Sequence, residues 1–266
     1  MRWTVVTVLM AVACATSPTG RKQFIIQSDD SMATLGAQSF TEIAKETPVT
    51  TNQNAVRYVT CIASSVTEIL PKEYSGEWDI KVFESDQVNA FALPGRKIGV
   101  YTGLLKVASN QDQVATVLGH EIGHVIARHG NERVSENVVL QGGMSIVDAF
   151  SGSGAQHNMI MGALGVGAQY GVVLPHNRTQ EAEADRIGLD YMAQAGFNPE
   201  ESVKLWGNMS KAANGKEPSQ FTSTHPSNAN RISGLQEGMA KAKGEQEAAH
   251  AAGKSPQCGA SGVAAN

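Results

Sequence analysis

Long apolar runs are missing from this chain. None reaches the roughly 18 residues expected of a membrane-spanning helix. Basic charge is not in excess either: 21 Lys and Arg stand against 25 Asp and Glu, for a formal net charge of -4. The two signs are mixed along the sequence, and no basic patch with interleaved aromatics occurs, so nucleic-acid recognition has no support. Cysteine is scarce, at 3 in 266 residues, and Cys61 and Cys258 lack metal-ligand spacing. Internal repeats are absent. What remains is a chain of ordinary hydrophobic content, 41%, long enough for one domain with a substantial core.

The most informative stretch that is present is His120-Glu121-Ile122-Gly123-His124, an H-E-x-x-H motif. On a helix, residues four apart lie about 40° apart around the axis and roughly 6 Å along it. Both imidazoles can therefore reach one zinc ion. Glu121, on the adjoining face, can accept a proton from the attacking water without itself binding metal. The flanks predict a helix: Asn110 is a candidate cap, Gln113 completes a capping-box pattern, and Gly130 can terminate the helix. Val114, Leu118, Ile122 and Val125 form an apolar stripe on a face separate from the histidines. Gly119 and Gly123 each cost a helix about 1 kcal/mol relative to alanine, which implies a close approach to the backbone there. On such a continuous helix His129 faces away from the metal and is structural or solvent-facing.

A zinc hydrolase needs a third protein ligand and leaves the fourth position to water. Gln180-Glu181-Ala182-Glu183-Ala184-Asp185 reads as the first turn of a second helix ending near Gly196. Glu181 and Asp185 share a face there, while Glu183 points away. Glu181 is therefore the candidate ligand. Asp185 is the candidate partner for the second nitrogen of a histidine, most plausibly His120. An acidic first turn favoured by the helix dipole is the plain alternative.

These segments resemble the M48 family of zinc metallopeptidases, in its branch of periplasmic bacterial proteins. The resemblance runs from about Pro18 to Arg231. It rests on Asn89-Ala90-Phe91-Ala92 with Pro94-Gly95, on Gly103-Leu104-Leu105, and on His120 to His124 with Arg128-His129. Glu181 to Asp185 with Arg186-Ile187-Gly188, and Thr224-His225-Pro226 with Arg231, complete it. Pro18-Thr19-Gly20-Arg21 resembles the start of the mature region in many members. Arg96, where many members carry a second glycine, and His176, in a segment usually aromatic, are departures. The resemblance implies an α+β, mainly helical, zincin-type domain with a small sheet whose edge strand borders the active-site cleft. It also implies one zinc ion per chain, and His225 and Arg231 near the site. The substrates it implies are misfolded or misassembled envelope proteins, with the outer-membrane assembly machinery as a candidate partner.

The N-terminus reads as a targeting segment over residues 1–13. Arg2 precedes an apolar stretch from Trp3 to Ala13, and Ala11-Val12-Ala13-Cys14 resembles a lipobox. Lipidation at Cys14 would tether the protein by a lipid anchor to the outer membrane, in the periplasm of a Gram-negative bacterium. Ordinary signal cleavage nearby is the alternative. With Cys14 taken by lipid, Cys61 and Cys258 are the two left, and in an oxidising compartment they are expected to pair.

The rest reads as scaffold. Helices are expected near Asp30 to Lys45, after the candidate cap Asn52, and from Asn198-Pro199-Glu200-Glu201. Strands are expected at Trp78 to Glu84, Asn89 to Ala92 and Lys97 to Tyr101, the last two around a Pro94-Gly95 turn. Asn89, Ala90, Phe91 and Ala92 form the candidate substrate-pairing edge strand, with an interior strand as the alternative. Residues 141–172, rich in glycine, alanine and methionine, read as a core helix or as a lid over the cleft. His157, His176 and His250 have no partners at ligand spacing and read as surface residues. The catalytic domain is expected over 14–237, and a helical, then disordered, tail over 238–266.

Three functions fit these residues. The favoured one is a zinc endopeptidase with Glu121 as general base, passing the proton on to the leaving amine, with His225 and Arg231 near the reacting groups. The others are a chaperone-like periplasmic factor for outer-membrane proteins with a latent peptidase, and a structural zinc protein. A base beside the ligands argues against the last, because structural sites close the fourth position with protein. His225, held on a stiff turn by Pro226, can stabilise the oxyanion, fill the fourth position as a latch, or be incidental.

Overall fold

The computed structural model describes residues 14–140, 155–166, 177–213, 225 and 229–263. A short antiparallel hairpin comes first, β1 (Cys14–Thr16) against β2 (Lys22–Phe24). Helices α1 (Asp29–Glu46) and α2 (Gln53–Thr67) follow. Then come β3 (Asp79–Phe83), β4 (Ala90–Leu93), β5 (Lys97–Tyr101) and the short helix α3 (Thr102–Val107). Next are α4 (Gln111–Ile126), α5 (His129–Leu140), α6 (Ala155–Ala163) and α7 (Arg178–Gln194). The last two helices are α8 (Glu201–Ala213) and α9 (Ala229–Ala251). Among the described residues, no helix is long and apolar enough to cross a membrane.

Local chemistry sets most of these starts. Ser28 Oγ accepts from Ser31 N, Asn52 Oδ1 from Asn54 N and Ala55 N, and Asn110 Oδ1 from Gln113 N. Each bond satisfies a backbone donor that a helix start leaves orphaned. The capping box expected at α4 is incomplete, because Gln113 Oε1 accepts from Ser109 N at 2.9 Å rather than from Asn110. A complete box sits instead on α7, between Asn177 and Gln180.

The three-stranded sheet has the order β3-β5-β4, with β3 parallel and β4 antiparallel to β5. The turn between β4 and β5 places Gly95 at φ 80 and Arg96 at φ 60. Arg96 thus occupies the left-handed region that glycine adopts at little cost. Its guanidinium donates to Ser75 O at 2.7 Å, which offsets part of that strain. One sheet face buries Phe83, Phe91 and Tyr101 against Phe40 of α1. Phe83 and Phe91 stack with centroids 6.0 Å apart, and Phe40 meets Phe83 edge-on, also at 6.0 Å. Gly99 leaves the room: a Cβ there would lie 2.2 Å from the Phe91 ring.

Helix α4 runs through the centre, with Val114, Leu118 and Ile122 fully buried. Helix α7 lies directly on it. A Cβ on Gly119 would fall 2.7 Å from Gly188 O, and one on Gly123 would fall 2.8 Å from Ala184 O. The close backbone approach expected from the two glycines is therefore real, and Gly188 supplies its other half.

Several expectations need correction. The helix does not continue from Asn110 to Gly130. It ends at Ile126, Arg128 takes φ 57, and Gly130 lies inside α5. The β1–β2 hairpin had no sequence signal long enough to be read. Residues 252–263 lack helix and strand, yet they are not loose. Gln111 Nε2 donates to Pro256 O at 2.7 Å, Cys258 N donates to Gln111 Oε1 at 2.9 Å, and Asn52 Nδ2 donates to Gly262 O at 3.3 Å. Cys61 and Cys258 are joined by a disulfide, with Cα atoms 5.5 Å apart. Backbone groups make these bonds, so a low-complexity composition conceals them. Of residues 141–172, only 155–166 are described, with Ile160, Met161 and Leu164 buried. The remainder of that segment and the targeting segment 1–13 lie outside the described residues.

The glycine contact yields a direct test. Gly188→Ala places a methyl 2.6 Å from Gly119 C and so must push α7 from α4. We expect a loss of about 1–3 kcal/mol in unfolding free energy by denaturant titration, the usual cost of overpacking. Wild-type stability in that variant would mean the two backbones can separate freely.

Candidate metal centre

Four donors from three parts of the chain meet in the interior. His120 and His124 come from successive turns of α4, Glu181 from the first turn of α7, and His225 from the segment before α9. All four are buried, and one donor atom from each lies within 4.8 Å of the others. His120 Nε2 is 3.0 Å from His124 Nε2 and 3.1 Å from His225 Nδ1. Glu181 Oε1 is 3.0 Å from His225 Nδ1 and 3.3 Å from His124 Nε2.

Hydrogen bonds on the outer side of each imidazole decide what faces inward. His120 Nδ1 lies 2.9 Å from Asp185 Oδ1, which can only accept, and 3.2 Å from Arg231 NH2, which can only donate; the shorter contact places the proton on Nδ1. His129 Nε2 lies 3.1 Å from Glu183 Oε2, which fixes its proton in the same way. Neutral His129 then offers a lone pair at Nδ1, 2.8 Å from His124 Nδ1, and His124 donates there. Burial, only partly opposed by Glu183, lowers the His129 pKa and favours that neutral form. Both Nε2 atoms, 3.0 Å apart, are therefore left with lone pairs facing each other. A cation between them would bind both lone pairs, and His225 Nδ1, 3.1 Å from His120 Nε2, borders the same space. Two imidazoles and a carboxylate, buried with their donor atoms close together, suit zinc.

The carboxylates differ in environment. Burial opposes ionisation of Glu181, but the imidazoles of His225, His120 and His124 around it hold its pKa well below the ordinary value. Glu121 is pushed up by burial, with His225 and His120 opposing. Its Oε1 makes no hydrogen bond among the described residues and has His225 Nε2 3.4 Å away. His225, placed between Glu181 and Glu121, has its pKa raised by those two carboxylates against the effect of burial. Asp185 is also kept low: burial raises it, and Arg231 more than reverses that.

Arg231 on α9 is buried behind the donors. Its Nε and NH2 grip the Asp185 carboxylate at 2.6 and 2.5 Å, and NH1 lies 2.7 Å from Glu181 Oε2. The guanidinium stacks 4.3 Å from the centre of the Trp206 ring. Its place is that of a group holding carboxylates rather than of one facing a reacting bond.

A cavity of about 300 Å³ opens onto Glu121, His124 and His225, with Trp78, Phe91 and Ala92 among its walls. Strand β4 is an edge strand. Tyr101 N donates to Asn89 O, so backbone alternation turns the amides and carbonyls of Ala90 and Ala92 away from β5. Asn89, buried, uses its Oδ1 to accept from Ala90 N at 3.0 Å and so plugs one edge donor.

Sequence reasoning missed His129 and Glu183. His129 was expected to face away and Glu183 to point outward; both are buried, and they form the outer partners of His124. The error was the continuous helix. The turn at Ala127–Arg128 swings α5 so that His129 returns towards the site, and nothing in the residue types announces a left-handed arginine. Cys14 lies in β1, and Cys61 and Cys258 lie far along the chain from the metal donors. His157, partly buried, pairs with Glu42 at 3.2 Å, and the exposed His250 donates from Nε2 to Gly196 O at 2.8 Å.

A mainly helical domain with an edge strand beside an H-E-x-x-H helix and a distant glutamate defines a zincin-type metallopeptidase domain. Comparison with known proteins gives the family. Residues 54–238 match Peptidase family M48, and the chain belongs to it. It is 34% identical over 173 residues to "Mitochondrial metalloendopeptidase OMA1" of Saccharomyces cerevisiae, covering 62% of this chain and 48% of that protein. To "Metalloprotease LoiP" of Escherichia coli it is 29% identical over 214 residues, covering 80% of this chain and 82% of the relative. To "Metalloprotease YcaL" of the same species it is 27% identical over 163 residues, covering 61% and 63%. The chain spans about half the length of the yeast relative and less of several others. Zinc is the cofactor of this family, and the donor set here fits it.

Proposed function

We propose that this protein is a zinc endopeptidase acting on unfolded or misassembled polypeptides of the cell envelope. The observation that carries the reading is the buried cluster of donor atoms from His120, His124 and Glu181, with the Glu121 carboxylate lining the adjoining cavity. His120, His124 and Glu181 would hold the zinc, and Asp185 would fix the His120 tautomer. When bound, zinc supplies Lewis acidity that activates water and polarises the scissile carbonyl. Glu121 takes the water's proton on its carboxylate, a base strengthened by burial, and delivers it to the leaving amine. Arg231 keeps Asp185 and Glu181 ionised and aimed. Extended substrate pairs with the outward carbonyl of Ala90 and the outward amide and carbonyl of Ala92 on β4, beside Phe91 and the Asn89 plug on the Ala90 amide. Main-chain pairing demands little of side chains, which suits unfolded substrates.

His225 supports a second reading, a chaperone-like periplasmic factor with a latent peptidase. Its Nδ1 belongs to the donor cluster and its Nε2 approaches Glu121, so it can close the site as a latch. The apolar stretch from Trp3 to Ala13, read as a targeting segment, supports the periplasm, and Cys14 is the proposed lipid anchor. Mass spectrometry of the mature N-terminus should find a lipidated Cys14; an unmodified start elsewhere removes the anchor.

Glu121→Gln should keep zinc and lose about 10²–10⁴-fold in peptide hydrolysis, the usual worth of general acid–base catalysis. His120→Ala, His124→Ala and Glu181→Ala should instead lose metal. Full zinc in Glu181→Ala would place the third ligand elsewhere, and near-normal cleavage by Glu121→Gln would remove it from the mechanism.

A latch makes His225→Ala faster than wild type on unfolded substrate, whereas an oxyanion role makes it slower. An unchanged rate with unchanged zinc rejects both roles. Ala90→Pro should raise KM or abolish cleavage with zinc retained. A peptide inhibitor seen paired away from β4 would sink the strand proposal.

A further inference from the structure

We infer that the Ser17-Pro18-Thr19-Gly20-Arg21 turn, between β1 and β2, is a positioning element for the metal site. It acts through Glu183 and His129 to fix the orientation and tautomer of His124. The turn is tight: Gly20 N donates to Ser17 O at 2.9 Å, Ser17 N donates to Arg21 O at 2.8 Å, and Gly20 takes φ 92. Its side chains converge on one carboxylate on α7. The hydroxyls of Ser17 and Thr19 donate to Glu183 Oε1, and Arg21 Nε donates to Glu183 Oε2 at 2.8 Å. His129 Nε2 completes the set at 3.1 Å.

Glu183, which already receives Ser17, Thr19 and the Arg21 guanidinium, has no proton of its own to give. His129 must therefore donate to it from Nε2; the neutral imidazole, with its one proton there, accepts at Nδ1 the hydrogen bond from His124 Nδ1, 2.8 Å away. The lone pair of His124 Nε2 then points to the centre of the donor cluster. Arg21 also forks onto Glu132, NH1 to Oε1 and NH2 to Oε2, both at 2.7 Å. Glu132 accepts from Gln180 Nε2 at 2.9 Å, one residue before Glu181. One arginine thus ties α5 to the start of α7. Gln23 adds a bond from Nε2 to Ala127 O at 2.6 Å, at the end of α4. A segment 162 residues away in sequence from Glu183 is built into the second layer of the site. The motif that resembled only the start of a mature chain thereby gains a task.

The test uses the full mature protein. Nitrogen NMR shifts of histidine-labelled, metal-free protein report which His124 nitrogen carries the proton, at a pH where both imidazoles are neutral. Chelator competition reports the zinc dissociation constant. Wild type should show His124 protonated at Nδ1. His129→Leu should give mixed tautomers and a zinc constant raised about 10–100-fold, the usual effect of losing an outer partner of a ligand. His129→Asn, whose Oδ1 can accept where Nδ1 did, should restore both readouts towards wild type. Arg21→Leu, and separately the near-isosteric Ser17→Ala/Thr19→Val pair, should mix the tautomers and raise the constant about tenfold. Turn variants that keep the wild-type tautomer and zinc constant, even with a lowered melting temperature, would overturn the proposal and leave the turn a fold anchor. The inference rests on His124 being a zinc ligand only in its zinc arm. If His124→Ala retains zinc, that reading fails by itself, while the tautomer of His124 still decides this one.

Discussion

The structure depends on one backbone contact, that of α4 against α7 through Gly119, Gly123 and Gly188. Three glycines inside helices forgo about 3 kcal/mol of intrinsic propensity relative to alanine. The return is proximity: with no side chains between them, the helices lie close enough for Glu181 and Asp185 on one to reach His120 and His124 on the other. A separation larger by one methyl would stretch the hydrogen-bond contacts of about 3 Å beyond use. The same crossing excludes water, so the charges it gathers interact in a medium of low polarity.

Low polarity makes every buried charge dependent on a partner. Asp185 and Glu181 share Arg231, and Glu183 and Glu132 share Arg21. In each pair one guanidinium serves two carboxylates, and only Arg can do this with a planar fork. Arg133, buried on α5, is lowered to about 10 by burial despite the opposing pull of Glu181 and Glu121. Glu121 is the exception. It faces the cavity, burial raises its pKa, and no arginine grips it at hydrogen-bond distance among the described residues. A carboxylate left comparatively basic beside carboxylates held ionised has the environment that the proposed general base requires.

Much of this was legible in the sequence, for local reasons. The spacing of His120 and His124, the caps at Asn52 and Asn110, and the Pro94-Gly95 turn are rules of a few residues each. The glycines at 119 and 123 announced a close approach, though not its partner Gly188. What stayed hidden depended on tertiary geometry. Arg128 in a left-handed conformation has no signature in its residue type, so the break before α5 and the return of His129 could not be read. Glu183 looked like an outward residue of a helical first turn, because helical periodicity separates it from Glu181. It is in fact buried against the N-terminal turn. The C-terminal segment is fixed by backbone bonds and by Cys258, which composition does not reveal.

Both ends of the described chain finish on the same helix. At the start of α4, Gln111 exchanges bonds with Pro256 and Cys258, and the Cys61 disulfide ties that segment to α2. At the other end, Gln23 caps Ala127, and Arg21 braces the residues that follow. Helix ends are where backbone groups go unsatisfied and fraying begins. Pinning both ends leaves His120 and His124 in a stretch that cannot loosen from either side. The moving parts of the site must then be sought among groups outside this clamp. Of the four donors, His225 alone comes from neither α4 nor α7. It is also the donor that stands between Glu181 and Glu121, where its departure would open the cavity to the base while leaving the other three in place.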